Sequence, residues 1–220
     1  MRVRGVLGIL IAALLLLGGC AEEPETIRIL SLGDSYTIGQ GVVESERWPN
    51  QLARALEAEG SPPVEVRIVA QTGWTTSDLD AGIDAAAPEG PFDLVTLLVG
   101  VNNQFRGLDP DEYRAEFAAL LERAAGFSQG PVLVVSIPDW GVTPLGGSYD
   151  RERVAMEIDE FNAIARSEAE AAGAEWVYIT PISRSDIVGL VAADALHPSG
   201  LQYGLWVEEI LPVARQLLDG

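Results

Sequence analysis

At 220 residues the chain is long enough for one well-buried core and short for two. Hydrophobic residues make up 48% and charged residues 21%, a globular balance that argues against a disordered chain. Acidic residues number 33 against 14 basic ones, all Arg, and the formal charge of -19 disfavours nucleic acid and other anionic polymers as partners.

Taken in chain order, the first feature is a positive start at Arg2 and Arg4, followed by an uncharged apolar run from Gly5 to Gly19. A permanent spanning helix needs about twenty apolar residues, so this shorter run reads as an export signal. It closes on Leu17-Gly18-Gly19-Cys20, which resembles the bacterial lipobox and places the only Cys where that motif is lipidated. The expected organisation is a signal peptide over 1–19, a lipidated Cys20 with an acidic tether over 20–26, and one domain over 27–220. The expected location is the bacterial cell envelope, on its periplasmic or extracellular face, with the membrane reached through the Cys20 anchor.

Beyond the tether, short apolar runs alternate with stretches of helical period. The runs Ile27–Leu32, Val64–Val69, Leu94–Val99, Val132–Ile137 and Trp176–Ile179 show little polar alternation, as strands buried on both faces of a parallel sheet do. Helices are expected near Trp48–Glu59, Ser77–Ala86, Asp111–Ala125, Arg151–Ala172 and Leu201–Leu218. Asp109-Pro110 and Asp150 supply start signals, and Gly60 and Gly173 supply stops. Five β–α repeats predict an α/β fold, a three-layer α/β/α doubly wound sheet, with the functional site at the carboxyl ends of the strands.

The chemistry-bearing residues fall at those ends. Gly33-Asp34-Ser35 follows the first strand and puts a Ser hydroxyl where such a fold exposes reactive groups; Thr37 rules out a Gly-x-Ser-x-Gly elbow. Asp194-Ala195-Leu196-His197 holds the only His, and a spacing of three lets one turn bring the carboxylate against the imidazole. Asp194 then fixes the tautomer and leaves the second ring nitrogen to act as a base. After the second strand, Gly73 offers a backbone N–H that can approach a ligand closely; after the third, Asn102 offers a side-chain amide. Singly, each of these two is equally explained as turn chemistry. Trp74, Asn103 and Trp140 border these loops as candidate substrate-pocket residues, and Pro138–Gly147 is a candidate lip. With one Cys and one His, neither a disulfide nor a multi-thiolate or multi-histidine metal site is expected.

Together Ser35, Gly73, Asn102 and Asp194-x-x-His197, in that order, resemble the SGNH (GDSL-type) hydrolase family across nearly all of residues 27–220. The resemblance implies an ester hydrolase that works through an acyl-enzyme without metal or organic cofactor. In it Ser35 is the nucleophile, His197 the base and then acid, and Asp194 the orienting carboxylate. The oxyanion would be held by the N–H groups of Ser35 and Gly73 and by the Asn102 amide. One departure is visible: the family's Gly-x-Asn-Asp reads Gly100-Val101-Asn102-Asn103 here, which bears on loop hydrogen bonding and substrate class. Small acyl or acetyl esters, including O-acyl groups on glycans, are the expected substrates. An acyltransferase of the same fold, and a lipid-anchored binding protein without turnover, are the competing readings. No sequence feature speaks to oligomeric state.

Overall fold

The computed structural model describes residues 25–220, so the expected signal peptide and Cys20 lie outside the described residues. In chain order the chain forms β1 (Ile27–Gly33), α1 (Ser35–Ile38), α2 (Trp48–Ala58), β2 (Val64–Ala70), α3 (Thr76–Ala86), β3 (Leu94–Leu98) and α4 (Val101–Phe105). There follow α5 (Pro110–Ala125), β4 (Leu133–Val135), α6 (Arg151–Ala172), β5 (Glu175–Val177), α7 (Thr180–Ser183) and α8 (Gly200–Asp219). The five strands pair in parallel in the order β2-β1-β3-β4-β5. This is the doubly wound order in which the chain reverses its winding between β1 and β3, so a crevice opens above that pair.

Helices cover both faces of the sheet, as the apolar central strands require, while the edge strand β2 alternates Glu65 and Arg67 with apolar residues and is buried only at Val69. Ile29, Leu30 and Leu32 of β1 are fully buried, and so is every residue of β3. The polar pair in this centre, Ser31 and Thr96, sits in register, and the Thr96 hydroxyl donates to Ser31 Oγ at 3.1 Å. A buried polar group costs little when it is paired in this way. Helices α2 and α8 pack together, as do α5 and α6, and α3 packs on α5. Trp48, Tyr203 and Trp206 fill the interior on the α2/α8 side, and Tyr113 lies between Phe117 and Phe161 on the other.

The long helices begin and end where their signals stand. Asp109 accepts from the Asp111 N–H ahead of α5, Asp150 caps α6 through the Arg153 N–H, and Ser199 caps α8 through Gln202. Thr75 and Asp78 form a reciprocal capping box at α3. The sequence gives no sign of α1, α4 and α7, each of four or five residues. That is too short to show an amphipathic repeat, and tertiary contacts hold such helices in place.

Candidate active site

The first strand delivers Ser35 to the crevice through a crowded turn. A Cβ at Gly33 would run into the Thr37 side chain and the Leu98 carbonyl, so only Gly fits there. Asp34 then caps α1, its Oδ1 accepting from the Tyr36 N–H at 3.0 Å. The Asp34 side chain is sealed from solvent and its Oδ2 has no partner among the described residues. Burial outweighs the bonds from the backbone and pushes its carboxyl up to about 7. Ser35 is only 4% exposed, and its hydroxyl makes no hydrogen bond among the described residues.

The second contribution comes from the loop before α8. A bridge between Val191 and Pro198 and the Ala192 N–H to His197 carbonyl bond of 2.7 Å close this loop on itself, with Ala195 in the left-handed region at φ 64°. Inside it, Asp194 Oδ1 accepts from the Leu196 and His197 N–H groups at 3.0 and 2.9 Å, and Oδ2 lies 2.7 Å from His197 Nδ1. Burial opposes ionisation of Asp194, but these N–H donors and the imidazole outweigh it and hold its carboxyl below the ordinary carboxylate range. An ionised carboxylate facing Nδ1 places the imidazole proton there and leaves Nε2 as an acceptor.

The two segments meet. The Tyr36 ring packs edge-on against His197 with centroids 5.8 Å apart, and a Cβ at Gly41 would lie 3.1 Å from Asp194 Oδ2. The turn that carries Ser35 therefore forms one wall of the Asp194–His197 pair. No hydrogen bond joins Ser35 to His197 in this structure; hydrogen bonds between nucleophile and base are often long until a substrate is bound.

The ends of β2 and β3 supply donors. Gly73 takes φ 84°, a conformation that a residue with a Cβ rarely adopts. Its carbonyl accepts from Arg106 Nη2 at 2.6 Å, and the next carbonyl, that of Trp74, accepts from Asn102 Nδ2 at 2.9 Å. An amide has two N–H donors, so Asn102 keeps one after this bond. Neither the Ser35 N–H nor the Gly73 N–H donates to an acceptor among the described residues.

The expected pocket residues are placed differently. Asn103 is buried; its Oδ1 accepts from the Thr76 N–H at 3.1 Å and its Nδ2 donates to Thr76 Oγ1 at 2.6 Å, while the Thr76 hydroxyl itself donates to Glu116. It fastens α4 to the start of α3 instead of facing a ligand. Trp140 is also buried, donating to Gln104 Oε1 at 2.8 Å. Trp74 lays its ring on Gly82 of α3, where a Cβ would collide with it. Beside the buried Trp140, Phe105, 51% exposed, and Tyr149, 41% exposed, present open aromatic surface. Phe105 lies three residues after Asn102 on α4, but its exposure has no signature in the sequence.

The candidate lip is tied down at several points. Asp139 accepts from the Gly141 N–H and pairs with Arg184, each at 2.8 Å, and the Leu145 N–H donates to the Ala195 carbonyl at 3.0 Å. Pro138–Gly147 is thus fastened to the loop that carries Asp194.

A serine at a strand end, a carboxylate-oriented imidazole beside its turn and a set of unspent N–H donors have the makings of acyl transfer through a covalent intermediate. Residues 31–205 match the GDSL-like lipase/acylhydrolase family, and the chain belongs to it. It is a carboxylic ester hydrolase of the GDSL type. Among its relatives, the chain is 24% identical over 215 residues to the esterase TesA of Pseudomonas aeruginosa, covering 93% of this chain and 98% of that one. Its fold matches a crystal structure of TesA with a TM-score of 0.70 at 22% identity, over 87% of this chain and 99% of that one. An acetylxylan esterase from Geobacillus stearothermophilus matches with a TM-score of 0.68 at 17% identity, over 86% and 94% of the two chains.

Proposed function

We propose that the protein cleaves small acyl or acetyl esters, including O-acyl groups on carbohydrates, through an acyl-enzyme on Ser35. His197 Nε2 takes the Ser35 proton as Oγ attacks the ester carbonyl, and Asp194 stabilises the imidazolium through Nδ1. The N–H groups of Ser35 and Gly73 and the free Asn102 N–H hold the tetrahedral oxyanion. His197 then protonates the leaving alcohol, and water repeats the cycle to release the acid. The observation that carries this reading is the 2.7 Å Asp194–His197 contact set against the turn that bears Ser35.

The carbohydrate part rests on the fold likeness to an acetylxylan esterase and on the open aromatic pair Phe105 and Tyr149, whose faces suit an apolar acyl group or a sugar ring. Residues 1–19 act as an export signal in this proposal, and acylated Cys20 holds the enzyme on the cell envelope. Incorporation of labelled palmitate into the wild type and not into Cys20→Ala tests the anchor.

The activity is tested by initial rates of the full chain, solubilised in mild detergent, on acetyl, butyryl and octanoyl nitrophenyl esters and on acetylated xylan. Ser35→Ala should lose about 10⁴-fold or more in rate. Equal turnover by the variant and the wild type would remove Ser35 from the mechanism.

A further inference from the structure

The turn at Gly73 and Trp74 is closed by a long bond of 3.3 Å from the Trp74 N–H to the Gln71 carbonyl, and the neighbouring Thr72 hydroxyl donates to Gln40. Helix α4 and the residue after it supply a donor to each of two consecutive carbonyls: Asn102 to Trp74 and Arg106 to Gly73. The second nitrogen of the Arg106 guanidinium, Nη1, lies 3.5 Å from Asp78 Oδ2, which belongs to the capping box that starts α3. The guanidinium therefore spans from the start of α3 to the carbonyl of Gly73.

This arrangement contributes little to stability. Arg106 is 49% exposed and Asp78 44%, and exposed pairs of this kind add little net free energy. Its effect is on geometry. Glycine visits left- and right-handed backbone regions about equally, so a turn built on Gly73 at φ 84° relies on its hydrogen bonds to keep its shape. The only atom a Cβ at Gly73 would approach is Arg106 Nη2, at 3.8 Å, so no side-chain packing at Gly73 itself adds to them. The Arg106 bond on the Gly73 carbonyl anchors the Gly73–Trp74 peptide and leaves the N–H of the preceding peptide, on the other side of the same residue, unspent.

We infer that Arg106 is a positioning residue for the oxyanion site: by anchoring the Gly73–Trp74 peptide it fixes where the turn sits, so that the Gly73 N–H of the preceding peptide stays within reach of the carbonyl under attack. The inference rests on the acyl-enzyme reading above. Outright loss of an oxyanion donor costs about 10²–10³ in kcat, and a donor left free to rotate costs less, roughly 10–100-fold.

The test uses the full chain and the variants Arg106→Ala, Arg106→Gln and Arg106→Lys on nitrophenyl acetate. Arg106→Ala and Arg106→Gln should lower kcat about 10–100-fold, with KM within about twofold and an unchanged melting temperature. A boronic-acid analogue of the tetrahedral state should weaken by the same factor as kcat, and added guanidinium ion should recover part of the rate in Arg106→Ala. Arg106→Lys should fall between, because a single ammonium reaches one of the two acceptors. Wild-type kcat in Arg106→Ala, or a loss confined to KM, overturns the inference while Ser35 stands. A wild type inactive on every ester overturns the acyl-enzyme reading and this inference with it. If Arg106→Ala fails to fold, the Arg106→Lys values and the analogue affinity of Arg106→Gln decide the matter in the same way.

Discussion

Replacing Asp34 by Asn should remove a large pH-dependent penalty on folding. The Asp34 carboxyl is fully buried, one oxygen has no partner among the described residues, and burial raises it from the ordinary 3.8 to about 7. In the unfolded chain it ionises near the ordinary value, so between those limits the folded state binds the extra proton. Stability then falls as pH rises through that window and levels off above it. At 1.36 kcal/mol for each tenfold change in proton affinity, the full interval amounts to ~4 kcal/mol. About 3 kcal/mol of it falls between pH 5 and pH 8.5, because part of the window lies below pH 5. Asn keeps an oxygen for the Tyr36 N–H and cannot ionise, so Asp34→Asn should match the wild type near pH 4 and exceed it at pH 8.5. The assay is urea unfolding of both proteins across that range, read as the difference between them. Carboxylates with lowered values, Asp194 and Asp78, pull the other way in both proteins and cancel in the difference. A gap that stays constant with pH would show that Asp34 does not titrate inside the fold in the manner argued.

Three further outcomes follow from the site. Asn102→Ala should cost about 10²–10³ in kcat if its second amide N–H meets the oxyanion, and an unchanged steady-state rate would exclude it. Asp194→Asn keeps an acceptor for the Leu196 and His197 N–H groups but loses the charge that fixes the imidazole, so kcat should drop about 10⁴-fold with circular dichroism unchanged. Asn103→Asp would face Thr76 Oγ1 with no proton to give, because that hydroxyl already donates to Glu116; destabilisation of about 1–3 kcal/mol is expected. Adding Glu116→Gln reverses the direction of the chain of hydrogen bonds and should recover most of that loss in thermal unfolding.

The parallel sheet was legible because its central strands are buried on both faces and read as apolar runs; the observed β1 and β2 extend the expected ones by a single residue, whereas β4 and β5 span only Leu133–Val135 and Glu175–Val177. The long helices were legible through Asp109, Asp150 and Gly173, whose roles at helix ends are local. The pairing of Asp194 with His197 was legible for the same reason, since four consecutive residues of one turn contain it. What depends on the position of distant neighbours was not. Trp74 and Trp140 border the right loops, but the direction of each ring is decided by partners on other elements, Gly82 of α3 with its missing side chain and Gln104 of α4 with its amide oxygen. A Gly in the middle of α3 was the one available hint, since such a residue weakens a helix unless something packs against it. Asn103 was noticed as a departure from the family motif, yet its reason lies in Thr76 and Glu116, on two other helices. The contact between Arg106 and Gly73 spans 33 residues and leaves no trace in either segment.

The direction of β1 has a consequence for where the enzyme can reach. Its amino end, Ile27, and the turn that bears Ser35 lie at opposite edges of the sheet, separated by a strand of seven residues. At about 3.3 Å per residue that is roughly 20 Å, and the six residues from Ala21 to Thr26 add at most about 20 Å more. With Cys20 held at a lipid surface, as proposed, the crevice can stand up to roughly 40 Å from the bilayer when β1 points away from it. In that orientation lipids of the anchoring leaflet are behind the working edge. Material lying above the membrane, such as envelope polymers or diffusing esters, is in front of it.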